Sequence, residues 1–525
     1  MRIRILHNAR IFTGVKGHPW AHALALARGR VVATDRAALD WRGAPDVAIE
    51  DMNGALVVPG LTDAHIHLMW YAQGLRELDL RDLDREATLA AIAAKAAESE
   101  PGAWITGRGW DQNIWKDTAY PSAAELDRVA PRHCVMLNAK NGHAIVANSL
   151  AMAAGGVTAD TVDPEHGRVE RDVRGDPTGM FFEDAMAYVG RAKPRPGLSE
   201  LVDLIDEAQG NLMARGITGG HDVDGNPAFG AIQELKRQGR LRIRVVKYVR
   251  LEALDGVIDA GLRSGLGDDQ LRLGGLKLFA DGALGARTAA MFEPYEEEPD
   301  NLGMLTLAPD RLMEISQRAA ANGLALAIHA IGDRTNRIVL DVLEAVQSID
   351  PSLRHRIEHV QLIDRADQTR LGHSGIVASM QPIHAIHDQR MADRYWGDRS
   401  AQAYAWRSIQ DAGATLAFGS DCPIEIFDPF LGLYAAVSRR SETDGYPGAD
   451  GWYSEQRLTL TESLRAFTWG GAYAAGLEDR LGCLAPGYHA DLIVLDRDIF
   501  ALPPEALLET KVERVMIAGA WQPRE

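Results

Sequence analysis

Short apolar runs recur along the chain, and the stretches between them carry the wider spacing of amphipathic helices. The runs are Val57–His67, Gly216–His221, Arg242–Tyr248, Leu273–Phe279, Ala325–His329, His355–His359, Ile376–Met380 and Thr415–Ser420. Helical periodicity fills several of the gaps, as in Arg311–Asn322 and Asn336–Ser348. Eight alternations of strand and helix predict an α/β fold with a parallel (β/α)8 TIM barrel, with a doubly wound open sheet as the alternative. The two ends of the chain read differently. Arg2–Ile11, Ala23–Ala33 and Gly54–Val58 at one end, and Ala490–Leu495 and Val512–Trp521 at the other, are strand-like with no helices between them. They predict one small β-domain built from both termini, against the alternative of two unrelated hairpins. The first two barrel runs are about 150 residues apart, when a βα unit needs about 30, so 70–215 is expected to hold an inserted subdomain.

Composition narrows the class. The 525 residues include 46% hydrophobic and 25% charged, ordinary for a globular protein. The net charge of −17 repels phosphate backbones, so no nucleic-acid partner is expected. Only three cysteines occur, Cys134, Cys422 and Cys483, without CxxC spacing, which points to a reducing compartment. With no apolar stretch of about 18 residues and no signal-peptide pattern, the expectation is a cytoplasmic protein with no membrane partner.

The strongest local chemical signal is Thr62-Asp63-Ala64-His65-Ile66-His67. Residues two apart on a strand share a face, so His65 and His67 can reach one metal ion, and neutral imidazoles suit zinc and its neighbours. The pair follows an apolar run and Pro59-Gly60, at the strand end where barrel active sites lie. Lys277, His329, His359 and Asp421 close or nearly close four further runs. His355 shares the strand parity of His359 but lies about 13 Å from it, and is read as structural. Cys422 adjoins Asp421 with no base placed to activate it, and is read as packing. Gly107-Arg108-Gly109 lacks the strand–helix context of a dinucleotide loop.

These motifs, together with NARIFTG, LVVPGLTDAHIHL, HAIGDR, RIEHVQ, FGSD and LGCLAPGYHADLIVLDRD, resemble the amidohydrolase superfamily over essentially the whole chain. GRGWDQNIW, NGHAIVANSLAMAAGG and GLKLFADGALGARTAAM resemble its family-3 branch, which includes N-substituted formamide deformylase. The resemblance implies a β-sandwich made of 1–57 and 478–525 around a metal-dependent hydrolase barrel at 58–477, with the insertion after barrel strand one. It implies His65, His67, His329, His359 and Asp421 as metal ligands, and Lys277, carboxylated by CO2, bridging two metals. The cofactor is expected to be one or two divalent ions, Zn2+ first among them.

The implied reaction is hydrolysis of a carbon–nitrogen bond of amide or formamide type by metal-activated water. Asp421 would take the water's proton and pass it to the leaving nitrogen. A deaminase or cyclic-amide hydrolase on the same scaffold is one alternative, and a non-catalytic binding or regulatory protein is another. His143, His221 and His384 are expected to orient substrate oxygens, with a structural role as the competing reading. Asp281, Arg287 and Thr288 are expected to support the loop after Lys277. Trp70, Trp104, Trp110 and Trp115 lie in or beside the insertion, and Trp396, Trp406, Tyr395 and Tyr404 follow strand seven. Some of these rings, Trp110 foremost, are expected to contact an apolar or aromatic substituent of a small-molecule substrate. The competing reading is that they form the insertion's own core. The fold also suits a homodimer.

Overall fold

A computed structural model describes residues 3–523 except 118, 141, 143, 165 and 166. It divides into two compact units, one of Met1–Tyr71 with Ile205–Glu525 and one of Ala72–Leu204.

The first unit holds eight parallel strands in chain order: Leu61–Ile66, Ile217–Asp222, Arg244–Arg250, Leu271–Phe279, Ala325–Ala330, Arg356–His359, Val377–Met380 and Leu416–Phe418. They are barrel strands one to eight below. Strands such as Ala325–Ala330 are buried almost throughout, as expected where a sheet is covered on both faces. The exit of strand eight is tied to strand one by Asp421 N–H on the His65 carbonyl (2.8 Å) and His67 N–H on the Cys422 carbonyl (2.9 Å), nearly closing the barrel. Asp63 reinforces the seam by accepting from the N–H groups of His65 and Ser420, at 3.1 and 2.9 Å.

The run Val57–His67 is not one strand. Leu56–Pro59 pairs antiparallel with Leu492–Leu495, and the barrel begins only at Leu61. Gly60 makes the break possible: a Cβ there would lie 2.3 Å from Thr218 Oγ1. Strands from both termini join one hydrogen-bonded sheet of eight. The strands of the two termini are thus continuous in their pairing. The core of this sheet draws Leu6, Ile11 and Leu24 together with Leu492, Val494 and Met516.

The second unit carries its own six-stranded sheet, running Gly167–Arg171, Pro177–Glu183, Ala144–Ala147, Cys134–Ala139, Trp104–Trp110, Leu78–Asp79. The helix Arg85–Glu98 adds Ile92 and Ala96 to a core with Ile105, Leu137 and Val146. Among the described residues no helix is long and apolar enough to cross a membrane.

Candidate metal centre

Strand one ends by turning His65 and His67 to the same side, and Asp421 meets both just beyond strand eight. Asp421 Oδ1 lies 3.3 Å from His65 Nε2 and 3.5 Å from His67 Nε2. Those separations exceed an ordinary N–H···O hydrogen bond. They match the roughly 3.4 Å between two ligands about 2.1 Å from one tetrahedral ion. His65, His67 and Asp421 form a buried triad whose ligand atoms all lie within 4.8 Å of one another. The His359 ring packs between those of His65 and His329, with centroids 4.9 and 4.6 Å away. His359 and Asp421 have φ values of 78° and 60°. Non-glycine residues held in this left-handed region cost about 1–3 kcal/mol each and cluster at functional sites.

Each of three imidazoles is oriented through its far nitrogen. His65 Nδ1 meets Glu358 Oε2 at 2.5 Å, His67 Nδ1 meets Asp224 Oδ1 at 2.9 Å, and His359 Nδ1 donates to Gln381 Oε1 at 2.8 Å. Such contacts fix the tautomer that leaves Nε2 free to ligate. They are themselves braced. Arg356 pairs with Glu358 at 2.5 Å, and Asp224 Oδ2 accepts the N–H groups of Met69 and Trp70 at 2.8 and 3.1 Å. Burial would raise the Glu358 carboxyl, but Arg356 and then His65 hold it well below the usual carboxylate range.

Burial, aided by the Lys277 charge, pushes the His329 pKa down to about 3, and burial with His329 alongside pushes His359 well down, so both stand neutral. In His67 and His384 burial is outweighed by carboxylates, from Asp224 and Asp421 for the first and Asp421 for the second, and each rises to about 9. Protons and an ion therefore compete for these two nitrogens. Lys277 is buried, and among the described residues its Nζ has no hydrogen-bond partner. It sits 4.7 Å over the Phe279 ring, and burial pushes its pKa down to about 8, towards the neutral amine that takes up CO2. The donor set fits a divalent cation.

The remaining expectations divide. His329 lies beside His359, but its Nε2 donates to the Gly282 carbonyl at 2.9 Å, leaving Nδ1 to offer. His355 is structural, its Nδ1 accepting from Leu326 N–H at 3.1 Å. Cys422 is buried, as a packing residue requires. His221 is buried, with Nδ1 accepting from Arg356 Nη1 at 2.8 Å. Trp110 is a correction. It is only 1% exposed in the core of the second unit, with its indole N–H on the Leu137 carbonyl (3.0 Å) and its ring against Trp115. Its spacing could not reveal which side of the inserted sheet it would face. Trp396, Tyr404 and Trp406 are likewise buried. The exposed ring is Trp70, 43% accessible and 5.6 Å from the His67 ring. His143 lies outside the described residues. Asp281 supports the loop after strand four as expected, accepting from Ala290, Ile331 and Gly332 N–H at 2.9–3.1 Å. Thr288 Oγ1 accepts from Ala283 N–H, and Arg287 pairs with Glu298.

Sequence reasoning did not single out Glu358, Asp224, Gln381 or Arg356. Glu358 stands inside RIEHVQ, one residue before His359, and Asp224 lies three residues after His221. Their adjacency to predicted strand ends was the available signal.

The model of the amidohydrolase family matches residues 48–521. Protein LONG AFTER FAR-RED 3 of Arabidopsis thaliana is 31% identical over 510 residues, covering 94% of this chain and 86% of that one. N-substituted formamide deformylase of Arthrobacter pascens is 28% identical over 545 residues, covering 99% and 98%. The solved structure of an uncharacterized metal-dependent hydrolase from Pyrococcus horikoshii matches with a TM-score of 0.82 at 28% identity, over 96% of this chain and 99% of that one.

Proposed function

The chain belongs to the amidohydrolase family, family-3 branch, and is a metal-dependent hydrolase; from that premise we propose that it cleaves the carbon–nitrogen bond of an N-substituted amide or formamide. The observation that carries this reading is the buried triad of His65, His67 and Asp421 at ligand-to-ligand distances. The likeness to a formamide deformylase over nearly the full length of both chains supports the bond type.

A divalent cation bound there, zinc in this reading, would acidify water and polarise the scissile carbonyl. His65, His67 and Asp421 would hold it, with His359 and His329 Nδ1 beside them. Lys277, once neutral, is placed to take up CO2 and add a carboxylate. Asp421 does the proton work. Burial alone would raise its pKa, but the facing imidazoles, His65 foremost, keep it well below the carboxylate range, so it stands ionised and ready to accept. It takes the proton of the attacking water and delivers it to the leaving nitrogen, which must be protonated to depart. Trp70, exposed and edge-on to His67, offers an apolar wall for a substituent near the scissile bond. It takes the role that sequence assigned to Trp110.

The test is product analysis on a panel of N-formyl amines, N-acyl amines and lactams with metal-replete protein. An amine plus a carboxylate in equal amounts is expected. Ammonia release from amidines or ring amines, without amide cleavage, would replace this reading with a deaminase.

A further inference from the structure

We propose that His384 is a metal ligand, forming with His359 and Asp421 a second cation place that shares the Asp421 carboxylate with the first. The proposal rests on the metal-dependent reading above and extends its ligand set beyond the strand-five and strand-six histidines.

His384 lies in the first turn of the helix Pro382–Trp396, which follows strand seven. It is only 6% exposed, and among the described residues its buried Nε2 has no hydrogen-bond partner. Leaving a buried polar nitrogen unsatisfied costs about 1–3 kcal/mol, so such an atom calls for an explanation. The nitrogen is aimed at Asp421: Nε2 stands 3.4 Å from Oδ2. That is too long for a normal hydrogen bond and equals the roughly 3.4 Å spacing of two ligands on one tetrahedral ion. His359, His384 and Asp421 form a buried triad with all ligand atoms within 4.8 Å.

The two oxygens of Asp421 divide between the two triads. Oδ1 faces His65 and His67, and Oδ2 faces His384. Used through both oxygens, Asp421 would serve both ion places without any contribution from Lys277. The far side of His384 is held less closely than those of the other inward histidines: its Nδ1 lies 3.9 Å from Glu425 Oε1, beyond hydrogen-bond reach, where His65 and His67 meet Glu358 and Asp224 at 2.5 and 2.9 Å. Glu425 is fixed in turn by His387 Nδ1 at 2.7 Å. A histidine placed only to orient a substrate oxygen has no need of ligand spacing to Asp421.

The decisive experiment is anomalous diffraction from crystals of the full chain loaded with zinc. Two peaks are expected, one of them about 2.1 Å from His384 Nε2. Zinc on His65, His67 and Asp421 with none near His384 would overturn the proposal and leave the hydrolase reading standing. No zinc on any of these residues would sink both. In solution, the His384→Gln and His384→Ala variants, checked for folding by circular dichroism, should drop from about two bound ions to about one. Their cobalt-substituted visible spectra should change. Unchanged metal content and cobalt spectrum in both His384 variants would also overturn it.

Discussion

Asp421 is held in left-handed backbone geometry while both carboxylate oxygens face imidazoles. Asp421→Asn keeps its shape but removes the base, so kcat on a confirmed amide should fall by about 10²–10⁴. Turnover near wild type would dismiss Asp421 as the proton carrier. Trp110 is a residue whose meaning changes once its surroundings are known. Trp110→Ala opens a hole in the inserted unit's core and frees the Leu137 carbonyl, so unfolding should become easier by about 3–5 kcal/mol. Denaturant titration followed by fluorescence reads this. A raised KM for aryl substrates at unchanged stability would restore the ring to the pocket.

At the scale of elements, the site depends on loops pinned to strand ends. Asp281 gathers three backbone N–H groups from the segments after strands four and five. Asp281→Ala leaves them unpaired, each at about 1–3 kcal/mol, and the melting temperature should drop clearly. An unchanged melting temperature would mean that water replaces the carboxylate without loss. The helix after strand seven is tied down by His387, which bridges Glu425 and Glu442 at 2.7 and 3.1 Å. Burial opposes its charge, but those carboxylates outweigh it and raise its pKa to about 10 from an ordinary 6.5. The folded value lies above the unfolded one, so the stabilisation is complete below the unfolded pKa and is lost as pH rises through the folded one. Wild type should therefore lose stability relative to His387→Gln between pH 6.5 and about 10. Parallel stability curves for the two proteins across that window would contradict the bridge.

Much of this was legible in the sequence, because barrel strands buried on both faces announce themselves as apolar runs and the metal-facing side chains sit where those runs end. His65, His67, His359 and Asp421 are found that way. What orients them was not legible. Glu358 reaches His65 across 293 positions and Asp224 reaches His67 across 157, and no local spacing encodes such pairings. The need for glycine at position 60 was hidden for a similar reason: the approach of Thr218 that leaves no room for a Cβ comes from a distant strand. The Arg356 contact of His221 was hidden in the same way, since it spans 135 positions.

For the whole molecule, some charged groups are buried inside the barrel as pairs. Lys247 pairs with Asp222, and Arg356 with Glu358, all fully or almost fully buried. Replacing such groups with apolar ones would often be neutral for stability. Here they brace the acceptors that aim the imidazoles. The central claim is that this arrangement exists to hold a metal ion for amide hydrolysis. It is tested most directly by measuring cleavage of the best N-acyl or N-formyl substrate before chelation, after removal of metal to below a tenth of an equivalent, and after zinc is restored. Activity should vanish with the metal and return with it, in proportion to the zinc bound. Hydrolysis that continues undiminished in the metal-free protein would contradict the account.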